Sequence, residues 1–181
     1  MRKVILAMQM SLDGFVAGPN GELDWMWHAF NDELKTSIIE SIRQTDTQLL
    51  GRVAYQEQAA HWPTSTDEIA PLVNNATKVV FSRTLDSVMW ANSRLATSDI
   101  ATEIAQLRQQ PGKDITLVGG ARLAQTASRL RLIDEYNLVV HPVVLGAGLP
   151  LFADMAAPMP LKLVKKEAFG TGAMRLLYRR E

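Results

Sequence analysis

Short apolar runs alternate with helical patterns along most of this chain, and this alternation restricts the fold more than any other feature of the sequence. The strand-like runs cover residues 4–10, 48–50, 78–81, 115–118 and 136–140, and the helical patterns cover residues 32–43, 68–74 and 100–109. Strands that alternate with helices are typical of parallel sheets, because parallel neighbours require long crossover connections. The sequence therefore predicts an α/β fold with a mostly parallel central sheet flanked by helices.

The end of the chain has a different pattern. Residues 161–168 and 173–180 are both strand-like, and a glycine-rich turn, Phe-Gly-Thr-Gly, joins them. Two strands joined by a short turn form an antiparallel hairpin. No repeat or linker interrupts the 181 residues, so we expect a single domain over residues 1–181.

Charge and residue usage exclude several function classes. Nineteen basic and nineteen acidic residues cancel, so we expect no nucleic-acid or membrane partner. No apolar run approaches the roughly 18 residues of a membrane helix, and we expect a cytoplasmic protein. The chain has no cysteine, which excludes disulfides and thiolate chemistry. The three histidines, His28, His61 and His141, lack metal-ligand spacing, so we expect no metal site and interpret them as structural or exposed.

Glycine, serine and arginine follow three of the predicted strands. Gly119 and Gly120 follow the strand in ITLVGGARLAQ, Gly51 and Arg52 follow the strand in LLGRVAY, and Ser82 and Arg83 follow the strand in KVVFSRTL. Ligands of α/β sheets bind outside the carboxyl ends of the strands, where glycine permits close approach and arginine pairs with phosphate. A dinucleotide is long enough to reach all three junctions. The alternative for the glycine pair is a tight turn without a ligand, and neither a Rossmann fingerprint nor a P-loop is present.

Five motifs in order carry a resemblance to a known superfamily. They are MSLDGFVAGPNGELDW, LLGRVAY, VVFSRTL, LVGGARLAQ and HPVVLGAGLPLF, and together they span nearly the whole chain. The chain resembles the dihydrofolate reductase-like superfamily, and most closely its branch related to the C-terminal reductase domain of bacterial riboflavin biosynthesis. The resemblance implies NADPH as the cofactor and a homodimer as the assembly. The apolar stretch 139–152 is long enough to line a dimer interface, although a buried core strand explains it equally well.

The resemblance also implies roles for particular residues. By this resemblance, Gly51 and Arg52 would contact the phosphates of NADPH, and Ser82 and Arg83 would contact the adenosine ribose and its 2′-phosphate. The pyrophosphate would lie on the glycine turn and the helix start, formed by Gly119, Gly120, Ala121, Arg122 and Leu123. The nicotinamide would lie beside Ala7, Val16 and Ala17.

Four positions depart from the patterns of the relatives. Ala54 replaces the threonine of the Gly-Arg-x-Thr pattern, and Ala7 and Val118 replace the lysine and the glutamate of the riboflavin enzymes. Folate reductases carry a pterin-binding acid on the first helix, where this chain has Lys35 with Asp32 and Glu33 upstream. The substrate chemistry of these relatives is therefore not carried over unchanged.

These observations predict an NADPH-dependent reductase of a small planar heterocycle, either pterin-like or 5-amino-6-(5-phosphoribosylamino)uracil-like. Asp13 is the candidate catalytic residue, as a proton relay or a substrate ligand, and a turn-forming Asp-Gly is its alternative. Met10 and Trp25 are candidate substrate-binding residues, with a core tryptophan as the alternative for Trp25. The competing function is a catalytically inactive nucleotide-binding protein of the same fold.

Overall fold

The computed structural model describes all residues, Met1–Glu181, and contains ten strands and five α-helices. The strands are β1 (Val4–Ser11), β2 (Phe15–Ala17), β3 (Thr45–Gly51), β4 (Thr77–Phe81), β5 (Ser93–Leu95), β6 (Asp114–Gly119), β7 (Glu135–His141), β8 (Leu149–Pro150), β9 (Leu161–Ala168) and β10 (Met174–Arg180). The helices are α1 (Asp32–Ile42), α2 (Arg52–His61), α3 (Ala70–Asn75), α4 (Ile100–Gln109) and α5 (Ala121–Arg129), with short 3-10 helices at Asp24–Ala29 and Trp62–Thr64. None of the helices combines the length and the apolar character needed to cross a bilayer.

Eight strands form one sheet in the order β5-β4-β3-β6-β1-β7-β10-β9. The first six of these are mutually parallel, and β10 runs antiparallel to both β7 and β9. This arrangement confirms the predicted α/β class and the antiparallel C-terminal hairpin. Strands β2 and β8 pair separately as a small antiparallel ribbon.

The sequence pattern did not predict the three shortest strands, and it placed the start of one helix two residues too early. Strands β2, β5 and β8 contain only two or three residues, too few for an alternating pattern to be visible. Helix α3 begins at Ala70 and not at residue 68, with a proline in its first turn. Proline suits that position because it has no N–H to leave unpaired.

Two apolar clusters cover the two faces of the sheet. The larger one joins one face, including Leu6, Leu117 and Leu138, to apolar residues of α4 and α5. The second cluster joins the opposite face, including Leu50 and Val80, to helices α1, α2 and α3. Each large apolar side chain buried in this way stabilises the fold by roughly 1.5–3 kcal/mol. The sheet is therefore held between two helical layers, and its carboxyl edge lies open at the helix starts.

The sheet opens between β1 and β6 toward this edge. The two strands pair only from Val4↔Ile115 to Leu6↔Leu117. Beyond Leu6, β1 continues to Ser11 paired with β7 alone, whereas β6 continues to Gly119 beside β3. The carboxyl halves of two adjacent parallel strands thus border a cleft, which is the usual location of a ligand in this class of fold.

Candidate functional site

The three junctions singled out in the sequence follow three adjacent strands. Ser82 follows β4, Gly51 ends β3, and Gly120 follows β6, and these strands are neighbours in the sheet. Because the strands are parallel, their carboxyl ends meet at one edge. Ser82 Oγ accepts hydrogen bonds from the backbone N–H groups of Thr84 and Leu85, at 3.1 and 3.0 Å, and this shapes the turn that carries Arg83.

Two helices start at this edge without a side-chain cap. Gly51 is the N-cap residue of α2 and Gly120 is that of α5, and neither has a side chain that can accept from the first helical N–H groups. By contrast, Asn31 caps α1 and Asp99 caps α4 through their side-chain oxygens. Uncapped helix starts expose N–H donors and a partial positive charge, the combination that binds phosphate.

Three arginines stand beside these helix starts. Arg52 is the first residue of α2, Arg122 is the second residue of α5, and Arg83 lies in the turn after β4; all three are exposed. None of them takes part in an ion pair. The only hydrogen bond from these three guanidinium groups to another side chain goes to a neutral group: Arg52 Nη1 donates to Gln56 Oε1 at 3.1 Å. The edge therefore carries three guanidinium groups with no carboxylate to neutralise them.

Packing between the junctions accounts for the glycines. A Cβ atom on Gly119 would lie 2.5 Å from Cβ of Ala54, so α2 approaches β6 too closely for a side chain there. Gly120 has a φ of +93°, and a Cβ on it would lie 3.3 Å from Cα of Gly51. The chain itself therefore requires these glycines. Ala121 is the first residue of α5, and Leu123 lies two residues further along that helix. The Cβ of Leu123 would lie 3.6 Å from a Cβ added to Gly120.

The residues predicted to flank the nicotinamide lie on β1 and β2. Ala7 is the first β1 residue beyond the last pair with β6, so it borders the cleft. Val16 and Ala17, both on β2, are buried, and Val16 belongs to the larger apolar cluster. Met10 packs against that cluster on the face of Leu6, whereas Ala7 lies on the other face because side chains alternate along a strand. The two predicted contact residues Ala7 and Met10 thus point in opposite directions.

Trp25 is a packed tryptophan. Its side chain is buried, its indole N–H donates to the carbonyl of Glu22 at 3.0 Å, and its ring meets His141 edge-on at a centroid distance of 5.5 Å. These contacts agree with the core alternative, and stacking of Trp25 on a substrate stays a prediction.

Asp13 joins two loops at the same edge. Its Oδ1 accepts from Ser11 Oγ at 2.6 Å and from the N–H of Leu145 at 3.1 Å, and its Oδ2 accepts from the N–H of Gly146 at 2.8 Å. The hydrogen bond from Ser11 is the main cause that lowers the pKa of Asp13, and the backbone donors add to it. A carboxylate held in its ionised form is suited to accept hydrogen bonds and less suited to deliver a proton. The catalytic role of Asp13 stays a prediction.

The first helix presents a paired lysine where folate reductases have an acid. Lys35 Nζ contacts Asp67 at 2.8 Å and Glu68 at 3.4 Å, and the hydrogen bond to Asp67 raises the pKa of Lys35. Glu33, two residues earlier on the same helix, accepts from the backbone N–H of Gly170 at 3.3 Å. Val118 packs with the second apolar cluster. The substrate-binding charges of both groups of relatives are therefore absent from these positions.

Sequence reasoning missed Gln9, which contacts one of the three histidines. His141 is almost fully buried, at 1% exposure, and its Nε2 lies 2.7 Å from Gln9 Oε1. The only signal in the sequence was a lone glutamine within an otherwise apolar strand. No group of three or more His, Asp or Glu side chains is arranged to hold a metal ion.

The fold defines a class of protein. The structure is similar to dihydrofolate reductase from Enterococcus faecalis, a complex with NADP(H), with a TM-score of 0.64 and 13% identity over 99% of this chain and 96% of that one. It is also similar to a putative riboflavin biosynthesis protein from Shewanella sp. PV-4, with a TM-score of 0.82 and 22% identity over 100% of this chain and 99% of that one. The fold is dihydrofolate reductase-like.

The chain belongs to the RibD C-terminal domain family, whose sequence model matches residues 2–174. Among its relatives is the uncharacterized protein YyaP of Bacillus subtilis, which is 37% identical over 98% of this chain and 94% of its own length. The predicted resemblance is thus confirmed, and the family is oxidoreductase-like.

Proposed function

We propose that this protein is an NADPH-dependent reductase of a small planar heterocycle, pterin-like or pyrimidine-like. The observation that carries the proposal is the edge formed by β4, β3 and β6, with two uncapped helix starts and three arginines free of carboxylate partners. Such an edge matches the phosphates of a dinucleotide, because backbone N–H groups and guanidinium groups both donate to phosphate oxygens.

The residues present fit that cofactor at each of its parts. Arg122 and the start of α5 would hold the pyrophosphate, and Arg52 at the start of α2 would add a second cation. Arg83, on the turn shaped by Ser82, would pair with the 2′-phosphate. The cleft between β1 and β6, bordered by Ala7, would receive the nicotinamide. When bound, the cofactor supplies a hydride, and the chain's own task is to orient the two rings and to exclude water.

Preference for NADPH over NADH tests the cofactor assignment. A charge-assisted contact to the 2′-phosphate contributes roughly 1.5–3 kcal/mol, so we expect NADPH to bind about ten- to a hundredfold more tightly. The Arg83→Gln variant should lose most of this preference in a fluorescence titration. Arg43→Gln is the matched control, because Arg43 is exposed and precedes β3 at the opposite edge of the sheet. Equal affinities of the unmodified protein for the two cofactors would refute the assignment.

A second candidate is a nucleotide-binding protein without catalysis. It is favoured by Lys35, which stands where folate reductases have a pterin-binding acid and which pairs with Asp67, and by Asp13, whose carboxylate is held by three donors. A panel of pterins, flavins and aminopyrimidines separates the two functions. Oxidation of NADPH that depends on one of these compounds supports the reductase, and tight NADPH binding without oxidation by any of them supports the inactive protein.

A further inference from the structure

A polar pair, formed by half-buried Gln9 and buried His141, borders the cleft between β1 and β6. Gln9 lies on β1 beyond Leu6, the last residue that pairs with β6, and alternation places it on the same face as Ala7. Its carboxamide oxygen lies 2.7 Å from Nε2 of His141, at the end of the neighbouring strand β7. An amide oxygen only accepts hydrogen bonds, so the imidazole donates and its hydrogen sits on Nε2.

This contact uses one polar atom of each side chain, and the other polar atom, Nδ1 of His141 and the amide nitrogen of Gln9, has no hydrogen-bond partner. His141 Nδ1 is buried and makes no hydrogen bond, which fits a neutral ring with a bare nitrogen, and burial lowers the pKa of His141. The amide nitrogen of Gln9 has no hydrogen-bond partner in the protein and reaches solvent. His141 therefore occupies the acceptor end of the carboxamide and leaves its donor end free.

The pair is held rigidly. Gln9 pairs with Val139, and Ser11 pairs with His141, in the continuous register between β1 and β7. The ring of Trp25 packs edge-on against the imidazole, with an interplanar angle of 87°. A donor that is oriented before the ligand arrives loses little side-chain entropy on binding.

The first two carboxylates that follow Gln9 in the chain already accept hydrogen bonds. Asp13 is occupied by Ser11, Leu145 and Gly146, and Glu22 accepts from Asn20. A ring that presents amino groups needs an acceptor, whereas a ring that presents a carbonyl oxygen needs a donor. Among these three side chains, the group left free is the amide donor of Gln9.

We propose that Gln9, oriented by His141, is a specificity-determining residue that binds a ring carbonyl oxygen, so that a heterocycle with a carbonyl group facing Gln9 binds more tightly than one with an amino group there. This inference rests on the proposed reductase function. Gln9 acts by direct contact, and His141 is a positioning residue that prevents the carboxamide from rotating.

Two pteridines that differ only in these groups test the inference. Lumazine carries two ring carbonyls, and 2,4-diaminopteridine carries two amino groups at the same carbons. Binding is measured by calorimetry, with and without saturating NADPH. We expect lumazine to bind about tenfold more tightly, because the wrong ring leaves the donor unpaired. Gln9→Leu should remove the preference, and Gln9→Glu, which presents an acceptor, should reverse it.

Two further variants control the experiment. His141→Phe retains a ring against Trp25 but has no nitrogen, so it should weaken the preference about threefold to tenfold, since the carboxamide is then free to turn. Gln44→Leu, on an exposed residue just before β3, should leave the preference unchanged. If His141→Phe does not fold, the Gln9 variants still decide the question.

Several results would overturn the inference. They are equal binding of the two pteridines, preference for the diamine, failure to bind either, and an unchanged preference in Gln9→Leu. The NADPH affinity of the unmodified protein is measured first. Its absence would refute the cofactor assignment, whereas intact NADPH binding without a lumazine preference would refute only the role of Gln9.

Discussion

Replacing Gly120 by alanine tests whether the glycine turn serves the cofactor or the chain alone. Gly120 has a φ of +93°, a conformation that costs an L-residue about 1–2 kcal/mol. The added methyl would also lie 3.3 Å from Cα and 3.4 Å from N of Gly51. For a chain of this length, 1 kcal/mol shifts the melting temperature by roughly 2–4 °C, so we expect Gly120→Ala to melt about 2–8 °C lower.

The same methyl disturbs both phosphate-binding helix starts. It points toward Gly51, the N-cap residue of α2, and it is attached to the N-cap residue of α5. A shift of either turn displaces at least one N–H donor from the phosphates, which costs roughly 1.5–3 kcal/mol and weakens NADPH about tenfold or more. Stability and cofactor affinity should therefore fall together.

Thermal unfolding with and without NADPH separates the two effects. At a concentration of 100 times the dissociation constant, a ligand stabilises the native state by about 2.7 kcal/mol, and a tenfold weaker ligand at the same concentration by about 1.4 kcal/mol. The NADPH-induced shift of Gly120→Ala should therefore be about half that of the unmodified protein. Gly21→Ala is the control, because Gly21 has the same φ of +93° and no atom near its added Cβ. It should melt lower but keep the full shift.

A full NADPH-induced shift in Gly120→Ala would refute the reasoning. The glycines would then serve only the packing of α2 against β6, and the dinucleotide assignment would lose the start of α5.

Three further predictions concern stability and assembly. Glu103 is fully buried and paired with Arg94, whose hydrogen bonds lower the pKa of Glu103 to about 2. The ionised Glu103 should add about 2–3 kcal/mol to the free energy of unfolding, a value discounted for the half-exposed Arg94. This contribution should be complete above pH 5 and lost as the pH falls toward 2. Urea unfolding should show no such loss in Glu103→Gln, whereas the control Glu68→Gln, which changes an exposed carboxylate, should retain it. Lys78 is fully buried over the ring of Trp90, and burial lowers its pKa to about 8. Because the unfolded chain then binds more protons between pH 8 and 10.5, stability relative to Lys78→Met should rise with pH in that interval, and a flat difference would contradict the assignment. Finally, we expect a homodimer, because three side chains of the apolar stretch 139–152 are exposed: Val144 at 66%, Leu149 at 44% and Phe152 at 38%. Light scattering should give twice the 20.1 kDa mass of one chain. A monomer at micromolar concentration would contradict this expectation.

The sequence was sufficient for the longer strands of the sheet, because each of them carries a local pattern of apolar residues. Every predicted strand of four or more residues is present, since a buried parallel strand requires a continuous apolar run. The rule that parallel strands present their carboxyl ends at one edge also predicted that the three junctions share an edge, whereas the order of the strands within the sheet was not predicted. Strands as short as Leu149–Pro150 depend on pairing with a distant partner, Phe15–Ala17, and carry no pattern of their own.

The polar contacts of the site could not be predicted, because they join residues far apart in the chain. Gln9 and His141 are separated by 132 positions, and so are Asp13 and Leu145. Lys35 was visible as a departure from the folate reductases, but its partner Asp67 lies in a loop 32 residues away. Each of these side chains is compatible with several roles until its partner is known. The sequence offered Asp13 as a proton relay, a substrate ligand or a turn residue, and the structure adds its hydrogen bonds to Leu145 and Gly146.

The glycine pair shows why sequence motifs alone do not separate packing from binding. Gly119 is required by the approach of Ala54, and Gly120 by its φ of +93°, so both residues would be needed without any ligand. The phosphates of a dinucleotide require the same absence of side chains. The distinguishing observation concerns the helix caps and the arginines. The side chains of Asn31 and Asp99 cap α1 and α4, whereas α2 and α5 begin at glycine beside unpaired arginines. Packing explains the glycines, but it does not explain donors and cations left free together at three adjacent strand ends, and an anionic ligand does.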